Sequence, residues 1–142
     1  MDPLSAEQQV QVFLQIDELG LQRSDFSIHS RISAYSDMLD HVFLGPNVFP
    51  ASPELRIGGT VFERLTSRAV IAHEAGHMLT TRAGIAFEAG SVMDEVQASL
   101  AGRRLPGLSA LERYQLLRDA AERARASGTP LRKLLQQQRR TQ

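Results

Sequence analysis

Arg68-Ala69-Val70-Ile71-Ala72-His73-Glu74-Ala75-Gly76-His77-Met78-Leu79-Thr80-Thr81 sets small and apolar residues at helical spacing, with two histidines one turn apart. Upstream, Thr60-Val61-Phe62-Glu63 has the form of a capping box, in which a hydroxyl and a carboxylate satisfy free N–H groups at a helix start. The expected helix covers about residues 61–81, with Phe62, Leu65, Ala69, Ala72 and Gly76 along one side.

The same signals place the other helices. Ser5-Ala6-Glu7-Gln8 is a capping box for a helix over about 6–19, ended by Gly20. Ser91-Val92-Met93-Asp94 opens one over about 92–105, stopped by Pro106, and Ser109-Ala110-Leu111-Glu112 opens another to about Ala126. Thr129-Pro130 begins the last, with Thr as N-cap and Pro at N1, and its polar end at Gln136–Gln142 is expected to fray.

Residues 21–59 carry strand signals instead. Val42-Phe43-Leu44 is short, apolar and stopped by Gly45-Pro46-Asn47, with Val48-Phe49 as an extension past a bend. Leu55-Arg56-Ile57 reads as a second short strand, and residues 27–32 as a strand or a helical turn. Pro46, Pro50 and Pro53 mark the region as a sheet edge. The expected fold is α+β: one helix-dominated domain over residues 1–142, with a small antiparallel sheet from residues 27–58 packed on the motif helix and a basic helical part over 109–142.

Composition sets bounds on function. The 142 residues are 42% hydrophobic and 23% charged, which suits one globular domain and excludes a wholly disordered chain. The absence of cysteine excludes disulfides, a thiol nucleophile and Cys-ligated metal. No apolar run approaches the ~20 residues that span a bilayer, so no membrane partner is expected. Met1-Asp2-Pro3-Leu4 is unlike a secretory signal, so the expectation is a chain cytoplasmic where it is made, whether or not it is exported within a larger polypeptide. The zero net charge divides into −7 over residues 1–100 and +7 over residues 101–142. The basic part is expected to fold back on the acidic part rather than to bind nucleic acid, because Tyr114 is its one aromatic residue.

His73-Glu74-Ala75-Gly76-His77 carries the chemistry. On a helix, residues i and i+4 share a face, so both imidazoles reach one ion. Glu74 lies about 100° around from His73, beside such an ion without ligating it, and can accept a proton from activated water. Zinc suits two imidazoles, one carboxylate and an open position, and lowers the pKa of bound water to about 7. Gly76 is a poor helix former whose missing side chain lets another element pass close to the metal. The competing reading is two core or surface histidines that happen to be four residues apart.

A third ligand must come from elsewhere; the acidic residues after His77 are Glu88, Asp94, Glu95, Glu112, Asp119 and Glu122. Asp94 is expected to turn back to the start of its own helix. Glu95, 18 residues after His77, has room for a turn and an antiparallel helix start, and spacing prefers it. Asp94 and Glu88 stay open as alternatives.

His73-Glu74-Ala75-Gly76-His77 followed by Glu95-Val96-Gln97-Ala98-Ser99 resembles the gluzincin metallopeptidase pattern, H-E-x-x-H and then a helix with E-x-x-A-(D/N). The short length and the lead-in Arg68-Ala69-Val70-Ile71-Ala72 make it most similar to compact ImmA/IrrE-type peptidases and to the metallopeptidase domains of bacterial polymorphic toxins. The resemblance covers about residues 60–106. It implies zinc on His73, His77 and Glu95, with Glu74 as general base, in an endopeptidase. It also implies a protein or peptide substrate and, for a toxin domain, an inhibitor or immunity protein as partner. Ser99 stands where the family carries Asp or Asn to support a ligand by hydrogen bonding, and an aromatic residue common further along that helix is missing. Neither end shows a helix-turn-helix, so fusion to a DNA-binding regulator is not supported.

His41-Val42-Phe43-Leu44-Gly45 lies where zincins align substrate on an edge strand. His29, His41, Tyr35, Tyr114, Arg103 and Arg104 are candidates to stabilise a developing oxyanion, and none is singled out. The alternative function is a non-catalytic module with a structural metal, closed by a fourth ligand such as His29 or His41.

Overall fold

The computed structural model describes residues 3–49, 65–85 and 87–141. Helix α1 spans Ala6–Glu18, α2 Ser67–Arg82, α3 Val92–Gly102, α4 Ala110–Ala126 and α5 Leu131–Thr141. Strands β1 (Phe26–Ser27), β2 (Ala34–Ser36) and β3 (His41–Phe43) lie between α1 and α2. The architecture is α+β, dominated by helix. Among the described residues, no helix is long and apolar enough to cross a membrane.

Local chemistry sets most boundaries. Full capping boxes form at Ser5–Gln8 and at Ser109–Glu112, so α1 and α4 begin where expected. The motif helix is different. Its N-cap is Thr66, whose hydroxyl accepts the Ala69 N–H, rather than Thr60. Thr60–Glu63, Phe62 and the expected strand Leu55–Ile57 lie outside the described residues. α3 ends at Gly102 rather than near 105, and α5 starts one residue after Pro130.

The sheet departs from expectation in two ways. It is mixed: β3 pairs parallel with β1 (Phe26 opposite Val42) and antiparallel with β2 (Tyr35 opposite Val42). Its order is β1-β3-β2, so the strand at His41–Phe43 is central and not an edge. The prolines that suggested an edge follow the strand: Pro46 opens a 3-10 turn over Pro46–Val48, which also replaces the expected strand extension. Nothing in β3 itself lacks an N–H. Among the described residues, β2 is the free edge beside α2, and β2 and β3 both pack on that helix.

Helix α2 is buried on nearly every face, including Ala69, Val70, Ile71, Ala72, Ala75 and Met78. Its small residues allow α3 to lie against it. A Cβ on Gly76 would sit 1.9 Å from the Ala98 carbonyl oxygen, and one on Gly102 would sit 2.3 Å from that of Ala72. The two helices therefore run antiparallel in contact, 72 beside 102 and 76 beside 98, a register that only glycine allows at both positions. One apolar cluster joins α1, the sheet and α2 through Val12, Ile16, Val42, Leu44 and Ile71. A second, built on Val96, Ala120 and Ala124 with Leu131 and Leu134 against it, seats the basic α4 and α5 on α3.

An ion pair ties the start of α2 to α4. Glu112, 4% exposed, accepts from Arg68 Nε at 3.0 Å, Arg68 Nη2 at 2.7 Å, Thr66 Oγ1 at 2.5 Å and the Ser109 N–H. Arg68 also pairs with Glu18 of α1. Burial raises the Glu112 pKa, but Arg68, Ser109 and Thr66 outweigh it and bring the group down to about 2. A depressed carboxyl stabilises the fold above its unfolded pKa, and that contribution is lost as pH falls through about 2. Glu112→Ala, which leaves Arg68 with Glu18 as its partner and removes the α4 capping carboxylate, should destabilise the protein by about 2 kcal/mol at neutral pH. In urea unfolding it should also remove much of the stability loss that the wild type shows below pH ~4.5. Equal acid sensitivity in both proteins would refute this role.

Candidate metal centre

The antiparallel register sets His73 and His77 of α2 opposite Glu95 and Ser99 of α3. His73 Nε2 is 2.9 Å from Glu95 Oε2, and His77 Nε2 is 3.5 Å from Glu95 Oε1. One ligand atom from each of His73, His77 and Glu95 lies within 4.8 Å of the others. The three side chains predicted as ligands thus meet. Gly76 does what its position suggested: it admits the Ala98 backbone and so brings Glu95 to the histidines.

Each imidazole has a second contact that turns Nε2 toward the cluster. His73 Nδ1 is 2.7 Å from Ser99 Oγ, and His77 Nδ1 is 3.3 Å from Asp94 Oδ1. Asp94 is therefore behind His77 rather than beside Glu95. Its other oxygen accepts the Gly90 N–H at 3.0 Å, while Ser91 caps the helix through the Asp94 N–H. Glu88 is exposed in the preceding loop and outside the cluster. Tyr35 of β2 lies parallel to the His77 ring, 1° between planes and 6.5 Å between centroids, with its hydroxyl donating to Asp40 at 2.9 Å.

Electrostatics favour a cation here. Burial raises the Glu95 pKa, yet His73 and His77 hold it well below the usual carboxylate range. Burial lowers the His77 pKa, yet Glu95, Glu74 and Asp94 more than reverse that. Glu74 is 8% exposed, and burial pushes its pKa up against the pull of His73 and His77. Ligand atoms about 2.0 Å from a tetrahedral ion lie roughly 3.3 Å apart; the two Nε2–Glu95 distances, each to a different carboxylate oxygen, bracket that value, and all three ligand atoms lie within 4.8 Å of one another. Two imidazoles and a carboxylate are a borderline N/O set that suits zinc.

The site opens on a cavity of about 350 Å³ lined by Tyr35, Glu74, His77, Phe87, Asp94 and Glu95. Neither candidate for a closing fourth ligand joins it. His29 is exposed, and His41 bonds Ser27 Oγ at 2.7 Å within the sheet. Tyr114 is exposed and Arg103 Nε donates to the Arg113 carbonyl, so of the suggested electrophiles only Tyr35 borders the cavity.

Asp119 of α4, one of the acidic residues weighed as third ligand, lies outside the cluster, and with Arg123 it takes a role that the sequence reading did not assign. Asp119, 2% exposed, accepts from Ser99 Oγ at 2.5 Å and from Arg123 Nε at 2.9 Å. Arg123 Nη1 is also 3.4 Å from Glu95 Oε2, which links the basic part of the chain to the acidic part. A signal was present: Leu116, Asp119, Ala120, Arg123 and Ala124 fall on one helical face, and an acid among buried small residues needs a buried partner. No family model, curated protein or solved structure matches this chain.

Proposed function

We propose that the chain is a zinc-dependent endopeptidase of the gluzincin type with a zincin-like fold. The observation that carries the reading is the convergence of His73, His77 and Glu95 beside a buried Glu74 at the mouth of an open cavity. His73, His77 and Glu95 would hold the ion. When bound, zinc supplies Lewis-acid polarisation of a carbonyl and acidification of water. Glu74 takes the proton from the attacking water on its carboxylate and returns it to the leaving amine. Its burial favours this, because a poorly solvated carboxylate holds a proton more readily.

The substrate strand belongs on β2 rather than on β3. Ala34 and Tyr35 line the cavity, and the outer backbone of β2 is unpaired among the described residues, so an extended peptide can add there as a strand. A bacterial effector setting, with an inhibitory protein as second partner, belongs to this reading through the family resemblance. A structural-metal module is less favoured, because no fourth protein ligand closes the site among the described residues. Removal of metal with a chelator should abolish cleavage of a denatured protein substrate, and one equivalent of zinc should restore it. Cleavage that survives complete metal removal would reject the proposal.

A further inference from the structure

Buried Ser99 and Asp119 and half-buried Arg123 form a chain of polar groups from His73 Nδ1, and none of the three lines the cavity. His73 is 1% exposed, Ser99 0% and Asp119 2%, so water does not complete their hydrogen bonds. The chain runs from His73 Nδ1 to Ser99 Oγ (2.7 Å), from Ser99 Oγ to Asp119 Oδ2 (2.5 Å), and from Asp119 Oδ2 to Arg123 Nε (2.9 Å). The His73–Asp119 separation is 3.9 Å, so the hydroxyl carries the interaction between them.

The donors and acceptors admit one direction. Arg123 can only donate, so Asp119 Oδ2 accepts from it. The same oxygen faces Ser99 as an acceptor, and the single hydroxyl proton of Ser99 goes to Asp119. Ser99 then offers His73 a lone pair, and His73 Nδ1 must supply the proton. A ring held by its Nδ1–H on Ser99 presents Nε2 toward Glu95, the atom and orientation that ligation requires, and Nε2 is free to ligate once the proton it shares with Glu95 has left. The resemblance places a direct Asp or Asn at position 99; here the carboxylate comes from the next helix and a serine bridges the gap.

We propose that Asp119 is a positioning residue for the metal centre: through the Ser99 hydroxyl it fixes the proton of His73 on Nδ1 and aims Nε2 at the ion. The proposal rests on the reading of His73 as a metal ligand. Asp119 is not a catalytic residue, since it does not line the cavity. Arg123 serves the same end by holding the Asp119 carboxylate in place, and its second contact with Glu95 keeps both carboxylates in register.

The test is a mutant cycle read by zinc affinity, measured by competition with a chromophoric chelator on the full chain. Ser99→Ala and Asp119→Asn should each weaken zinc binding by about 10–100-fold. The double variant should be no weaker than the worse single variant, because both changes cut the same chain. Losses that multiply would show that Asp119 acts independently of Ser99 and would overturn the proposal, as would unchanged affinity in either single variant. A spectroscopic readout separates positioning from general structural support. In the zinc-loaded wild type, NMR should show a downfield Nδ1–H proton for His73 that moves upfield in Asp119→Asn; an unmoved resonance would count against the relay. If Asp119→Asn does not fold, Ser99→Ala alone decides, since it leaves the Asp119–Arg123 pair intact. A wild type that takes up no zinc overturns the metal reading and the relay with it, whereas zinc binding indifferent to Ser99 and Asp119 overturns the relay alone.

Discussion

Glu74→Gln should lower kcat/KM for peptide cleavage by about a thousandfold while the protein keeps its zinc. The amide preserves the size of the side chain and leaves His73, His77 and Glu95 in place. It removes the one property required of Glu74, a carboxylate that accepts a proton during water attack. General base catalysis is commonly worth ~10²–10⁴ in rate, and burial of Glu74 argues for a substantial share of that range. The measurement is steady-state cleavage of a fluorogenic peptide, with zinc content determined on the same sample. Wild-type rates in the variant would remove Glu74 from the mechanism.

Glu95→Gln should weaken zinc affinity by roughly a hundredfold or more, and Asp94→Asn by no more than about tenfold. The two residues are adjacent but differ in what they touch. Glu95 presents both oxygens to the Nε2 atoms of His73 and His77. Asp94 divides its carboxylate between the Gly90 N–H and a long 3.3 Å contact to His77 Nδ1. Removing Asp94 should therefore cost mainly helix-start stability, ~0.5–1 kcal/mol, with some loosening of the His77 ring. A chelator competition on both variants separates them, and the reverse ranking would move the ligand to Asp94 and undercut the gluzincin reading.

Much of this was legible because it is local. Serine caps with Gln or Glu three residues on fix α1 and α4 to within a residue, and the i, i+4 histidines need only a helix to share a face. The meeting of Glu95 with the two histidines was legible because Gly76 and the spacing to α3 together imply a close antiparallel partner. The sheet was not. Its strands are two or three residues long, too short for an alternating pattern, and Ala34-Tyr35-Ser36 has no apolar repeat to reveal it. The prolines were read as acting on β3, yet they lie beyond its end, and pairing on both sides followed. Asp119 and Ser99 meet across 20 residues, and such a contact is visible in sequence only as an acid out of place on an apolar helix face.

Everything proposed for the site depends on one zinc ion held by His73, His77 and Glu95. The most direct measurement is zinc stoichiometry after metal-free purification and equilibration with excess zinc, for the wild type and His77→Ala in parallel, with circular dichroism confirming that both are folded. One tightly bound zinc per chain is expected in the wild type and none in His77→Ala. A zinc-free wild type, or full occupancy in His77→Ala, would contradict that assignment.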